Sequence, residues 1–91
     1  MSAKDHMSRV AALPCCVCAL SGAEVFGVHV HHVKEGTGYG QRASDWLVIP
    51  LCPDHHTGGL GIHGLGTHGF SGIYRSSELD LLASTLEKLY G

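Results

Sequence analysis

Two pairs of metal-ligand residues at matching spacing constrain this chain more than any other feature. Cys15 and Cys18 have C-x-x-C spacing, and Cys52 and His55 repeat that spacing farther along the chain. A tight turn at this spacing directs two ligand atoms at one point, and thiolates and imidazoles are preferred zinc ligands. The four residues therefore predict a closed, tetrahedral structural zinc site. The alternative is a buried cysteine cluster that binds nothing, and the second pair weighs against it.

The size of the chain makes a metal site valuable for stability. A core built from 91 residues contributes only a few kcal/mol, so chains of this length often need a metal or disulfides. The sequence has no apolar core of signal-peptide type and no stretch approaching the roughly 18 apolar residues of a membrane helix. We therefore expect a cytoplasmic protein without membrane contacts, whose reduced cysteines bind metal rather than form disulfides.

The order of the predicted elements indicates an α+β domain. Residues 1–12 are polar and without a convincing period, and we predict a flexible N-terminal segment there, with 13–91 as the zinc-stapled domain. Strands are predicted at 24–33 and 45–49, the second ended by Pro50, with a glycine-rich loop between them. Together the two strands predict a β-hairpin.

Regular helix is predicted mainly at the C-terminus. Glycines recur from 57 to 72, and each interior glycine costs about 1 kcal/mol relative to alanine, so we expect no long regular helix there. His63 and His68 are therefore placed on a loop or on short helical turns. Ser77 and Asp80 predict a capping box at the start of the last helix. The predicted core-facing residues of that helix are Leu79, Leu82, Ala83, Leu86 and Leu89.

Four further histidines indicate a second metal site. They are His31, His32, His56 and His63. A catalytic metal site needs neutral imidazoles or carboxylates that leave coordination positions open, and a nearby base that activates water. Because adjacent side chains on a strand point to opposite sides, His31 and His32 are not expected to bind one ion in the same way. We interpret one of them as a ligand and the other as a base.

The order of the motifs resembles that of a known family. The motifs are His31-His32, a glycine-rich loop with a basic residue, an apolar strand, Cys52-x-x-His55-His56 and a later His63. This order is similar to that of the HNH (ββα-metal) endonucleases, especially the small zinc-knuckle proteins of bacteriophages and prophages that include the RecA-dependent recombination-enhancement nucleases. The resemblance covers about residues 15–63, and more loosely the segment up to 83. It implies a small ββα-metal (His-Me finger) domain with a zinc knuckle and a C-terminal helix.

The resemblance also implies roles for single residues. The implied ligands of the catalytic ion are His31, His56 and His63. His68 competes with His63 for the third ligand position, because His63 lies farther along the chain than the family's usual third ligand. His32 is the implied general base. The family's base-orienting asparagine has no counterpart, since the chain contains no asparagine, and Asp45 or a backbone carbonyl near Trp46 is expected to replace it.

The implied activity is hydrolysis of DNA phosphodiester bonds by a metal-dependent endonuclease. The implied cofactors are structural Zn²⁺ and a catalytic Mg²⁺ or other divalent ion, whose site can also accept zinc in a crystal. Lys34 and Arg42 are candidates for contacts with DNA phosphates, and their alternative interpretation is ordinary solvated charge. The formal net charge of −2 argues against a free-standing tight DNA binder.

Partners and alternative functions follow from the same features. A recombinase, another phage or host DNA-processing protein, or a homodimer in place of a monomer is expected to supply DNA affinity. A second hypothesis is a catalytically silent zinc-binding module that recognises DNA or protein. A third is a metal-sensing or metal-storage protein. The imidazole of His32 separates the hypotheses, because a hydrolase needs a base beside a ligand and a structural knuckle does not.

Overall fold

A computed structural model describes residues 1–34 and 43–91 of the chain. The elements in order are helix α1 (Ala3–Ala11), a 3₁₀ turn (Cys18–Ser21), strands β1 (His29–His32) and β2 (Val48–Leu51), and helices α2 (Pro53–His56), α3 (Ile62–Tyr74) and α4 (Glu78–Tyr90). The chain is thus a small α+β protein with a two-stranded sheet, as predicted. Within the described residues, no helix is long and apolar enough to cross a membrane.

The two strands pair antiparallel and carry the first histidines of the candidate site. The paired residues are His29 with Leu51, Val30 with Pro50, His31 with Ile49, and His32 with Val48. All four residues of β2 are buried, because α1 and α4 also pack against that strand. Alternation along β1 places His29 and His31 on one side, where both rings contact His56.

The observed strands are shorter than predicted, and β2 continues past the position where we expected it to end. Pro50 lies inside β2, which contradicts the predicted strand end at that residue. The Val33 N–H donates to the Leu47 carbonyl at 2.8 Å, and hydrogen-bonded pairs alternate in an antiparallel ladder. Pro50 therefore occupies a position without ladder bonds, so its missing N–H removes none. Its carbonyl instead accepts a hydrogen bond from the Cys16 N–H at 2.9 Å.

The N-terminal segment, which we predicted to be flexible over residues 1–12, contains a helix that its sequence pattern did not indicate. Ser2 and Asp5 form a capping box at the start of α1, and the helix buries His6 and Val10. The His6 ring contacts the rings of Trp46 and Tyr90, and its Nδ1 is 2.7 Å from the Tyr90 hydroxyl. An apolar period was not visible because one of the two buried residues is a histidine. The domain boundary at residue 12 stays a prediction.

Helix α3 contains the break that its glycines predicted. Gly66 has φ 77° and ψ 166°, which is not helical, so α3 consists of two short helical pieces. His63 lies before this break and His68 lies after it. A residue with a side chain is strained at such a φ, whereas glycine is not.

Helix α4 begins at the predicted capping box, and its predicted core-facing side is right in part. The Ser77 hydroxyl accepts from the Asp80 N–H, and the Asp80 carboxylate accepts from the Ser77 N–H, both at 3.0 Å. The buried residues of the helix are Glu78, Leu81, Leu82 and Thr85. Leu79, which we expected to face the core, is 49% exposed. Leu82 is buried and Leu86 packs against the core, as predicted, whereas Ala83 is exposed.

Removing the cap of α4 should destabilise the protein. Ser77→Ala deletes the hydroxyl that accepts the Asp80 N–H, and losing such a cap costs about 1 kcal/mol of unfolding free energy. Urea denaturation of the zinc-loaded protein measures this loss. Ser84→Ala, an exposed substitution of the same kind within α4, is the matched control and should be close to neutral. Equal stability of the two variants would contradict the capping role.

Candidate metal centres

The four residues of the predicted structural site converge in space. The ligand atoms of Cys15, Cys18, Cys52 and His55, which we call the cysteine cluster, all lie within 4.8 Å of one another. The His55 Nδ1 is 3.6, 3.5 and 3.1 Å from the Sγ atoms of Cys15, Cys18 and Cys52, and the Cys18 and Cys52 sulfurs are 3.9 Å apart. Zn–S bonds of about 2.3 Å and Zn–N bonds of about 2.0 Å place tetrahedral ligand atoms about 3.6–3.8 Å apart. The cluster therefore fits a four-coordinate zinc ion.

Two local structures aim these ligands. Cys15 and Cys18 bracket the turn that leads into the 3₁₀ turn, and the Cys18 N–H donates to the Cys15 Sγ at 3.5 Å. Cys52 is the N-cap of α2 and His55 lies one turn later in that helix, with proline at the first helical position. Cys16 points away into the core, where burial raises the pKa of its thiol to about 12. Cys16 is thus a packing residue and not a ligand.

The electrostatics of the cysteine cluster favour a bound cation. Burial, followed by the hydrogen bonds and charges of Cys15 and Cys52, raises the pKa of Cys18 to about 12. Burial also acts to raise the pKa of Cys15, but backbone N–H groups lower it below the ordinary value. Neighbouring thiols therefore oppose one another's ionisation unless a metal ion neutralises them, and a coordinating thiol is deprotonated outright.

Three histidines form a second, more open cluster. The ligand atoms of His31, His56 and His63, which we call the histidine cluster, lie within 4.8 Å of one another. The Nε2 atoms of His56 and His63 are 3.0 Å apart, and the His31 ring centroid is 5.2 Å from each of the other two. His63 is exposed, whereas His31 is 5% exposed. Three nitrogen ligands leave coordination positions for water or substrate, as catalytic sites require.

Close packing of α3 on α2 brings His63 back to the cluster. A Cβ atom at Gly61 would lie 2.8 Å from the Asp54 carbonyl oxygen, and one at Gly64 would lie 2.9 Å from the Gly58 carbonyl oxygen. Only glycine permits such an approach. This explains how a histidine beyond the usual one-turn spacing reaches the site. His68 is exposed after the break in α3 and is not part of the cluster.

His56 is held in the form that binds metal. Burial, followed by the charges of His31, His63 and His29, lowers its pKa to about 4, so the imidazole is neutral near pH 7. Its Nδ1 is 2.9 Å from the Nδ1 of His29. Its Nε2 faces the Nε2 of His63, and a cation bound by the cluster would meet that side of the ring.

His32, which directly follows His31 on β1, pairs with Asp45. The His32 Nε2 is 2.8 Å from the Asp45 Oδ1, and the two side chains are 36% and 43% exposed.

Lys34, one of the two predicted phosphate contacts, is exposed and lines a cavity of about 180 Å³ together with His31 and His63. Arg42, the other predicted phosphate contact, lies outside the described residues.

Two residues near the histidine cluster were not predicted from the sequence. His29 precedes His31 by two positions, and the period of a strand could have identified it as a neighbour on the same side. Glu78 is 1% exposed, and its Oε2 is 2.8 Å from the His31 Nε2. A glutamate in the first turn of a helix is common as a partner of the helix dipole, so nothing in the local pattern marked Glu78 as special.

The fold and its two clusters define a class of protein. The chain is a small α+β protein with a closed Cys₃His cluster that could bind a metal such as zinc and a second, open cluster of three histidines. The family described as "Recombination enhancement, RecA-dependent nuclease" matches residues 2–89, so the chain belongs to that family. The description indicates a nuclease that takes part in RecA-dependent recombination. No curated protein was found to match the sequence.

The cysteine cluster should hold one zinc ion that the fold requires. Cys18→Ala should lose about one zinc per chain and much of the thermal stability, because the free energy of metal binding, about 10–16 kcal/mol in zinc-finger peptides, is also folding free energy. Elemental analysis and thermal melts measure both effects. Cys16→Ala removes a nearby buried thiol outside the cluster and should keep its zinc. Full zinc content and an unchanged melt in Cys18→Ala would contradict the assignment.

Proposed function

We propose that the protein is a metal-dependent DNA endonuclease of the HNH type. The observation that carries this proposal is the position of His32. It follows a residue of the histidine cluster on β1, lies outside that cluster, and is hydrogen-bonded to the Asp45 carboxylate. A structural zinc protein has no use for such an oriented imidazole, whereas hydrolysis needs a base beside the metal.

The order of elements supports the same class. β1 and β2 form an antiparallel pair, α2 follows directly, and His31 and His56 come from β1 and α2. A hairpin and helix that together face one ion is the arrangement implied by the ββα-metal resemblance. In this proposal the Cys₃His cluster binds structural zinc and the histidine cluster binds Mg²⁺ or another divalent ion.

The His32–Asp45 pair fits the role of a general base and its orienting partner. A neutral imidazole has one N–H, and the 2.8 Å contact with Asp45 places that N–H on Nε2. The Nδ1 lone pair is then available to take a proton from the attacking water. Asp45 replaces the asparagine of the family, since its carboxylate oxygen accepts the same hydrogen bond.

The histidine cluster and Lys34 have the proposed roles of binding the metal ion and contacting the phosphate. A divalent ion in the histidine cluster would stabilise negative charge that develops on the phosphate and on the departing 3′ oxygen. Lys34 lines the cavity beside His31 and His63, which supports its proposed contact with a DNA phosphate. Because the net charge is −2, we infer that a RecA filament or another DNA-processing partner contributes to DNA affinity.

Loss of the base should abolish cleavage without loss of metal. Wild-type protein should convert supercoiled plasmid to nicked or linear DNA with magnesium, manganese or zinc, assayed with and without a RecA filament. His32→Ala should be slower by about 10²–10⁴-fold, the usual contribution of a general base, at unchanged metal content. His68→Ala, an exposed histidine outside both clusters, should cleave like wild type. No cleavage by folded, metal-loaded wild-type protein, with or without RecA, would favour a silent binding module instead.

The partner of the base gives a finer test. Asp45→Ala should lower kcat, because His32 loses the acceptor that fixes its tautomer. Asp45→Asn should keep most of the activity, because an asparagine side-chain oxygen can accept the same N–H. Single-turnover cleavage rates of the two variants measure the difference. Equal rates for Asp45→Ala and wild type would remove Asp45 from the mechanism.

A further inference from the structure

A buried carboxylate lies against the histidine cluster. Glu78 is the first residue of α4, and it is 1% exposed. Its Oε2 is 2.8 Å from the Nε2 of His31, a side chain that is itself 5% exposed. Burying a carboxylate away from water is costly unless it is well paired and hydrogen-bonded. The contact with His31, a candidate metal ligand, therefore offsets part of the cost of burying this carboxylate.

The surroundings of Glu78 hold its carboxylate in one orientation. The Lys34 backbone N–H lies 3.4 Å from Oε2, and the Thr67 hydroxyl lies 3.5 Å from Oε1. The N-terminal turn of α4, in which Glu78 lies, favours negative charge. Both carboxylate oxygens thus have polar neighbours from outside α4, and one of them faces His31.

The contact with Glu78 determines which nitrogen of the His31 ring carries the proton and which can bind a metal ion. The carboxylate accepts a hydrogen bond, so the N–H of the neutral imidazole is on Nε2 and the lone pair is on Nδ1. Metal-binding histidines commonly donate their second ring N–H to a carboxylate, which fixes the tautomer and the ring orientation. Among the described residues, the compact cluster comprises three histidines and does not include Glu78. The carboxylate therefore meets His31 from outside the cluster.

We propose that Glu78 is a positioning residue that fixes His31 as an Nδ1 ligand of the ion in the histidine cluster. The inference rests on the proposed metal-binding role of that cluster. It makes the C-terminal helix part of the metal centre, since α4 supplies the group that orients a ligand from β1. It also gives a function to a carboxylate that α4 buries.

Metal affinity tests the proposal without DNA. Zinc is titrated into protein whose cysteine cluster is already loaded, and the dissociation constant of the second ion is measured by calorimetry. Glu78→Ala removes the acceptor of the His31 N–H, and it should weaken binding of the second ion by about 10- to 100-fold while the first is retained. Glu78→Gln, whose side-chain oxygen can accept the same N–H, should restore most of that affinity, and Glu87→Ala, at an exposed position of α4, should bind both ions like wild type. Wild-type affinity in Glu78→Ala, or no recovery in Glu78→Gln, would overturn the proposal.

The tautomer of His31 provides a second test that needs no variant. Long-range ¹H–¹⁵N spectra of zinc-loaded wild-type protein distinguish a protonated nitrogen from a metal-bound one. We expect the proton of His31 on Nε2 and the metal on Nδ1. A metal-bound Nε2 would overturn the proposal, as would a direct bond from the Glu78 carboxylate to the ion.

The outcomes separate this inference from the proposed activity. If wild type binds two ions, Glu78→Ala binds the second ion more weakly, and folded wild type still fails to cleave DNA, the positioning role is supported and the endonuclease is refuted. DNA cleavage by wild type, together with a second-ion affinity that does not change when Glu78 is replaced, would support the endonuclease and refute the positioning role. A wild-type protein that binds no ion at the histidine cluster would overturn both.

Discussion

Convergence of three sulfurs and one imidazole at the cysteine cluster is the interaction on which the rest of this structure depends. It joins Cys15 and Cys18, near the N-terminus, to α2, which follows the sheet. Cys15 and Cys52 are also members of the hydrophobic core. A chain of 91 residues has little core to spare, so a metal that binds only the folded arrangement contributes directly to its stability.

The geometry of the histidine cluster depends on the same elements that the cysteine cluster joins. His56 follows a ligand of the cysteine cluster directly, so whatever fixes α2 also fixes His56. His31 is placed by its pairing with Ile49, and His63 by the close packing of glycines between α2 and α3. The pair of His32 and Asp45 then lies on the opposite side of the same strand. The cysteine cluster thus fixes elements that carry the histidine cluster, whose open arrangement suits the proposed chemistry on phosphate.

Local patterns could be predicted from the sequence, and long-range contacts could not. The two ligand pairs and the Ser77 capping box depend on spacing within one turn, and the structure has both. The burial of Glu78 depends on His31, which lies 47 positions earlier, and no local pattern encodes that pairing. Helix α1 was not predicted for a related reason, because one of its buried residues is a histidine that packs against aromatic rings from distant segments. The ends of β1 and β2 depend on which backbone groups of the two strands form hydrogen bonds, and a local sequence pattern does not determine that pairing.

The central claim is that the chain is built around two metal centres. Anomalous diffraction from crystals of the zinc-loaded protein, collected on both sides of the zinc absorption edge, tests it most directly. Two anomalous peaks per chain are predicted, one bonded to the sulfurs of the cysteine cluster and one among the imidazoles of the histidine cluster. A cluster without a peak, in protein saturated with zinc, would contradict the claim for that centre.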